Sequence, residues 1–444
     1  MVRTSRGARV AVGTALLTAV LGACSSASSG NGASGGTSSA PATGGATTAP
    51  ATGGPTSAPA TGGPTATHPA SGPPIKIGMS LPLTGPVADV AKGGYQGYQT
   101  WAAEVNASGG LLGRPVKLVV HDDGFDQNAV VANYNRLISQ DKVDLLLGTF
   151  SSLLNGPASS IAERHKMLYV EPSGGNSALF TRGYKYLFFA QAGTTESLPS
   201  QFVGWVTGLP AAQRPKTAGY ITQDDPSASP AVAIFRKKLE ALGIRTVYNQ
   251  TYSPDTKSFD GLATAVKHAA PELLVQGAVA EDGAALVRSL EKVSYSPKML
   301  FQTNAPTDPG FPKAVGAQNA QGIFTAEGWS AAAEYPGNAE FVSAYTKKWG
   351  AAPTEDAANS YTAGQVLAAA VNGVGKISDQ TALAQWLHNN TVPAIVGPLK
   401  WDATGVPLGS LLLAQWQGGA LKIVAPASAA TTTEVVNPKP AWTP

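Results

Sequence analysis

Asp122-Asp123, Thr149-Phe150-Ser151-Ser152, Glu171-Pro172-Ser173-Gly174-Gly175, Gln223-Asp224-Asp225, Gln276-Gly277 and Gln302-Thr303-Asn304 are short polar clusters, and each follows at once on an apolar run. Hydroxyls, amides, carboxylates and glycine N–H groups can hold a small polar solute by hydrogen bonds. Catalysis asks for more than this. Between residues 75 and 426 there is no Gly-x-Ser-x-Gly elbow. His121, His165, His268 and His388 are scattered, and with His68 they form no ligand-spaced pair; the single cysteine, Cys24, is far from all of them. They read as surface or strand-end residues, so no metal, no cofactor and no reaction are expected. Asp122, Asp123 and Asp126 lack the later glycine and glutamate of a calcium loop and read as helix-capping groups. The glycines of GGLLGRP, 109 to 115, follow a helical pattern rather than a strand, so they are neither a dinucleotide fingerprint nor a phosphate loop.

The elements that carry these clusters alternate. IKIGMSL, PVKLVVHD, VDLLLGTF and MLYVEP read as strands, separated by helical patterns centred on 94 to 107, 127 to 140 and 157 to 166. After YKYLFFAQAG the rhythm restarts with TAGYIT, RTVYNQTY, ELLVQG and KMLFQTN, interleaved with helices near 229 to 242, 258 to 269 and 282 to 293. This predicts an α/β protein of two Rossmann-like lobes with parallel-sheet cores, since residues 75 to 426 exceed what one core usually spans. The polar clusters then stand at the carboxyl ends of strands, where ligands collect in open parallel sheets. The net charge of +3 is dispersed; the one cluster, Arg236-Lys237-Lys238, lies in a helical pattern and reads as a solvated face, so no nucleic-acid partner is expected.

The chain ends carry different information. Arg3, Arg6 and Arg9 precede an uncharged, mostly apolar run from Val10 to Leu21, the pattern of an export signal over residues 1 to 23 and too short to span a bilayer. Leu21-Gly22-Ala23-Cys24 resembles the lipobox of bacterial lipoproteins, which implies lipidation of Cys24 and anchoring to the outer face of the cytoplasmic membrane. Residues 25 to 74 hold no Asp, Glu, Lys or Arg, and Ala-Pro-Ala-Thr-Gly-Gly recurs from Ala40, Ala49 and Ala58, which reads as an unfolded tether. The stretch from 427 to 444 is similarly poor in order-promoting residues and is expected to fray.

IKIGMSLPLTGPVA, NASGGLLGRPVKLVVHDDGFDQNAVVANYNRLI, DLLLGTFSS, LFTRGY and IVGPLKWDATG resemble, in order and spacing, the solute-binding proteins of branched-chain amino-acid ABC transporters, a branch of the type I periplasmic-binding-protein fold. The resemblance implies three crossings that form a hinge, with one lobe from 75 to 193 and 329 to 394 and the other from 194 to 328 and 395 to 426. It implies a monomer that takes a small-molecule ligand to an ABC permease and touches the membrane only through its lipid; a ligand-sensing receptor of the same fold is the alternative. The family grips an α-carboxylate and α-ammonium at positions that match Ser152, Ser173 and Gly175, with Phe150 in the side-chain pocket and Ser151 and Gly174 beside them. Its lobe-two tyrosines fall on Ser227-Ala228 and near Ala278 or Val279. Its ammonium-binding glutamate falls on Asn304, and an aromatic pocket residue falls on Asp356. An α-ammonium in a closed cleft needs a carboxylate. Either Asp224, Asp225, Glu281 or Asp356 replaces the missing one, or the ligand is not an α-amino acid. The same residues have plainer readings: Ser152 as a helix cap, Phe150 as core, the glycines as turns, Asn304 and Asp356 as solvated or capping, and Asp224 and Asp225 as strand terminators before Pro226.

Overall fold

In the computed structural model, which describes residues 69–224, 228–278 and 280–443, both faces of β1 (Ile75–Leu81) are buried, as an inner parallel strand requires. The signal run, Cys24 and all but the last residues of the tether lie outside the described residues. The chain continues through α1 (Ala88–Ala107), β2 (Val116–Asp122), α2 (Gln127–Ser139), β3 (Leu145–Leu147), α3 (Ser151–Arg164), β4 (Tyr169–Glu171) and β5 (Leu187–Phe189). These five strands pair in parallel in the order β2-β1-β3-β4-β5. Asp126 caps α2 by accepting from the Ala129 N–H, the capping role expected of it.

The chain then crosses to a second sheet. After a 3₁₀ turn at Thr195–Ser197 come α4 (Ser200–Gly208), β6 (Thr217–Gln223), α5 (Ala228–Ala241), β7 (Arg245–Tyr252), α6 (Asp260–Ala269), β8 (Leu273–Gly277), α7 (Ala280–Lys292) and β9 (Met299–Gln302), followed by the short α8 (Phe311–Val315) and α9 (Ala317–Ala320) and by β10 (Ile323–Glu327). Phe202, Phe235, Phe301 and Phe324 form the aromatic centre of this lobe, with ring centroids 4.6 to 6.0 Å apart along the Phe202, Phe235 and Phe301 contacts and 5.1 Å between Phe202 and Phe324.

Three helices return to the first lobe: α10 (Asn338–Trp349), α11 (Glu355–Val374) and α12 (Gln380–Asn389). The contact of α1 with α11 depends on glycine. A methyl group on Gly97 would stand 2.0 Å from the Ala357 carbonyl oxygen, and one on Gly364 would stand 2.3 Å from the Trp101 ring. This close approach seats α11 with its N-terminus at the mouth between the lobes, where Thr354 caps it by accepting from the Ala357 N–H.

Two boundaries differ from the sequence expectation. Ile395, Val396, Leu399 and Trp401 belong to the first lobe's core with Phe188 and Tyr361, so the third crossing follows Trp401 instead of falling at 394/395. After it, β11 (Leu412–Gln417) and β12 (Ala420–Ala425) add antiparallel strands to the second sheet, whose order is β12-β11-β10-β9-β8-β6-β7. The tail expected to fray lies instead along the second lobe. Its groups find partners despite its composition: the Val436 N–H donates to Gln415 Oε1 (2.9 Å), the Lys439 N–H to the Lys298 carbonyl (2.8 Å) and Trp442 Nε1 to the Tyr295 carbonyl (2.6 Å).

Candidate functional site: the interlobe cleft

The carboxyl ends of β3, β4 and β5 and the N-termini of α3 and α11 converge on a cavity of about 480 Å³ lined by Phe150, Ser151, Ser152, Ser173, Gly175 and Asp356, together with Asn176, Gln191, Thr195, Glu196, Glu355 and Asn359. Pro230, on α5, closes it from the second lobe. A smaller adjoining cavity of about 200 Å³ shares Gly175, Gln191, Thr195 and Glu355 and is walled by Ala228, Ala231, Thr303, Asn304 and Leu411 of the second lobe. Size, polarity and position between two lobes suit one small solute.

Glu171 builds the floor. It is fully buried at the end of β4, and its Oε2 accepts from the Ser173 and Gly174 N–H groups (2.9 and 2.6 Å). Burial pushes its carboxyl up to about 8, against the pull of those two amides and of Arg182. Gly174 has no room for a side chain, because a methyl group there would stand 2.6 Å from Glu171 Oε1. Gly174 therefore packs beneath the cleft without lining it, which is the turn reading of that residue.

Ser151 starts α3 in the left-handed region, at φ 67°, a conformation that costs a serine energy and that tertiary contacts must hold. Its N–H donates to Ser173 Oγ (2.9 Å), whereas its own Oγ has no partner. Ser152 does not cap α3. Its Oγ accepts from the Asn176 N–H (3.1 Å) and ties the loop after β4 to the helix. Phe150 is absent from every core cluster and faces the cavity.

The carboxylates gather where α11 of the first lobe meets the end of β10 of the second. Asp356 lines the larger cavity, and burial raises it to about 6. Glu355, beside it, is exposed to the cleft; desolvation first, and the Asp356 charge second, raise it to about 7. At the end of β10, desolvation and then the Glu355 charge push Glu327 up to about 8, and its Oε2 has no hydrogen-bond partner. Asn359, one turn along α11, is 2% exposed; it hydrogen-bonds Glu355 while its Oδ1 is unpartnered.

The other sequence candidates are placed differently. Asn304 lines only the smaller cavity, and its Nδ2 donates to the Ala278 carbonyl (2.9 Å). Asp224 is exposed at the end of β6 and Glu281 is exposed on the first turn of α7; neither lines the cavities. Asp225, Ser227 and Val279 lie outside the described residues, as does Cys24. Glu355, Asn359, Gln191 and Glu196 escaped the sequence reading. Gln191 was within reach of the strand-end rule, since it follows β5; Glu355 was not, because a carboxylate at a helix start is usually a cap.

Among the described residues no group of three or more His, Cys, Asp or Glu side chains could hold a metal ion, and no helix is long and apolar enough to cross a membrane.

Two parallel-sheet lobes, three crossings and a polar cleft at the strand ends define the class of two-lobed binding proteins. The model of the family described as periplasmic binding protein matches residues 74–420, and the chain belongs to that family. An amino acid binding protein of Pseudomonas aeruginosa strain PAO1 is 26% identical over 331 residues, covering 74% of this chain and 87% of that protein. The crystal structure of a putative branched-chain amino acid ABC transporter from Rhodospirillum rubrum superposes with a TM-score of 0.71 at 24% identity, over 79% of this chain and 99% of that one. The substrate-binding protein LivJ of Streptococcus pneumoniae in complex with isoleucine superposes with a TM-score of 0.63 at 20% identity, over 80% and 100% of the two chains.

Proposed function

We propose that this protein is the extracytoplasmic solute-binding lipoprotein of an ABC importer. It captures a small polar or amphiphilic solute, an amino acid or a related compound, between its lobes and presents the closed form to a permease. The observation that carries this reading is the cleft itself: about 480 Å³ between the lobes, floored by the strand ends of one and closed by α5 of the other, with Ser151 Oγ and Asn359 Oδ1 left without protein partners. Transfer depends on differential affinity for the open and closed states, set by a ligand that touches both walls. The relatives named above as amino acid binders support the ligand class, and the run before Cys24 supports export and anchoring.

The test is a thermal-shift screen of the purified protein against amino acids, amides, polyamines and aromatic acids. A ligand at a hundred times its Kd stabilises the native state by about 2.7 kcal/mol. A clear shift from one class supports the reading, and no shift from any class, with the protein folded, defeats it. For the anchor, Cys24→Ala is expected to move the protein from the membrane fraction to the soluble one; retention on the membrane would reject lipidation.

A further inference from the structure

The larger cavity is electrically one-sided. Glu196, Glu355 and Asp356 line it and Glu327 stands behind Glu355, while no Lys, Arg or His lines either cavity among the described residues. A cluster of acids alone could be a solvated face, but the polar groups around it are not satisfied as such a face would be. Asn359, 2% exposed, is among the residues that line the cavity and its buried Oδ1 has no partner, and the buried Oε2 atoms of Glu327 and Glu196 have no donor either. Buried acceptors of this kind cost free energy unless an N–H or cation reaches them. Gly328 adds shape to the site: a methyl group there would stand 2.2 Å from Glu355 Oε1, so glycine lets that carboxylate lie against the backbone at the second crossing.

We propose that Glu355, with Glu327 and Asn359 Oδ1, is a cation seat at the second crossing between the lobes, and that the solute carries net positive charge. The proposal rests on the reading of the cleft as a solute site and names its substrate class. A zwitterion brings one positive charge and a carboxylate into a field already negative; a solute with a second basic nitrogen and at most one carboxylate neutralises that field. The seat joins the start of α11 in the first lobe to the end of β10 in the second, at the second crossing, so a bound cation bridges the two lobes.

The carboxyls that act on Glu355 are Asp356 on its own helix and Glu327 on β10, and its donors are the Gly328 N–H and the Asn359 side chain; Glu196, on the 195–197 turn, lines the same cavity with its Oε1 accepting from Ser177 Oγ. On α1, packed against α11, Asp89 and Lys92 pair with each other at 3.5 Å. With Glu355 raised to about 7 and Glu327 to about 8, a permanently charged amine binds better as pH rises through that range and both carboxyls ionise.

The experiment is titration calorimetry of the purified protein with L-arginine, putrescine, L-leucine and benzoate, repeated for Glu355→Gln and Asp356→Asn, with the fold of each variant checked by circular dichroism. Arginine or putrescine is expected to bind at least about tenfold more tightly than leucine, with benzoate silent. Arginine alone would mean that a carboxylate is also read; putrescine alone would mean an amine without one; both outcomes support the seat. Glu355→Gln is expected to weaken the bound cation at least about tenfold and to flatten the rise of putrescine affinity between pH 6 and 8.5. Tighter binding of leucine or benzoate overturns the cation assignment and leaves the solute-binding reading standing. Silence from all four probes overturns the assignment too, and the broader thermal-shift screen then decides the reading separately.

Discussion

On the first-lobe wall of the cleft stand Ser151, Ser152, Ser173, Glu355, Asp356 and Asn359, whereas the second-lobe wall presents Ala228, Pro230, Ala231 and Leu411, with Thr303 and Asn304 as its polar members. The difference follows from how each wall is built. Three strand ends and two helix starts converge on the first, and each brings polar groups. On the second, α5 meets the cleft through its small first-turn residues, so that wall can approach closely but reads little. On the function proposed above, recognition and closure are divided between the lobes: the first selects, and the second covers.

The largest expected effect comes from disturbing the frame of the selecting wall. Gly97→Ala places a methyl group 2.0 Å from the Ala357 carbonyl oxygen and forces α11 away from α1. A loss of about 3 kcal/mol is expected by denaturant unfolding, with ligand affinity falling too because Glu355 and Asn359 ride on α11. Unchanged stability would show that α1 and α11 can separate at this contact without cost.

Next comes the buried acid beneath that wall. Glu171 has a folded-state value of about 8 against an ordinary 4.5, so the folded state holds its proton more tightly than the unfolded chain does. Its contribution is therefore most favourable below pH 4.5 and declines as pH rises towards 8, by at most about 1.4 kcal/mol per pH unit. Glu171→Gln is expected to flatten this component while keeping an acceptor for the Ser173 and Gly174 amides; the stability difference between variant and parent, measured by urea titration at pH 5 to 8, should grow with pH in favour of the variant. A difference independent of pH would mean that Glu171 is ionised throughout.

The smallest effect belongs to the covering wall. Asn304→Ala removes one hydrogen bond, to the Ala278 carbonyl, and should cost about 1 kcal/mol of stability. Ligand affinity should change by less than about threefold, roughly 0.7 kcal/mol, when measured by calorimetry. A tenfold loss would erase the division of labour between the walls.

Much of this was legible in the chain. The alternation of IKIGMSL, PVKLVVHD and VDLLLGTF with helical patterns is a local signal, because burial of both faces of a parallel strand needs continuous apolar runs. The strand-end clusters at 149–152 and 173–175 were legible for the same reason, since a strand's carboxyl end is marked where its apolar run stops. The position of the third crossing was less legible: Ile395 to Trp401 are apolar enough for either core, and only packing against Phe188 and Tyr361 assigns them to the first lobe. Nor does the composition of the tail reveal that Trp442 finds the Tyr295 carbonyl.

The sequence by itself determined the two-lobed α/β architecture and the polar mouths of its strands, because hydrophobic period and strand punctuation act over a few residues. Only the tertiary structure decided where the negative charge of the cleft resides. Asp224 and Glu281 face solvent, while Glu355 meets Glu327 across the second crossing, from positions far apart in the chain. That encounter depends on how closely α1 lets α11 approach, and thus on the missing side chains of Gly97 and Gly364, a steric fact that no local pattern carries.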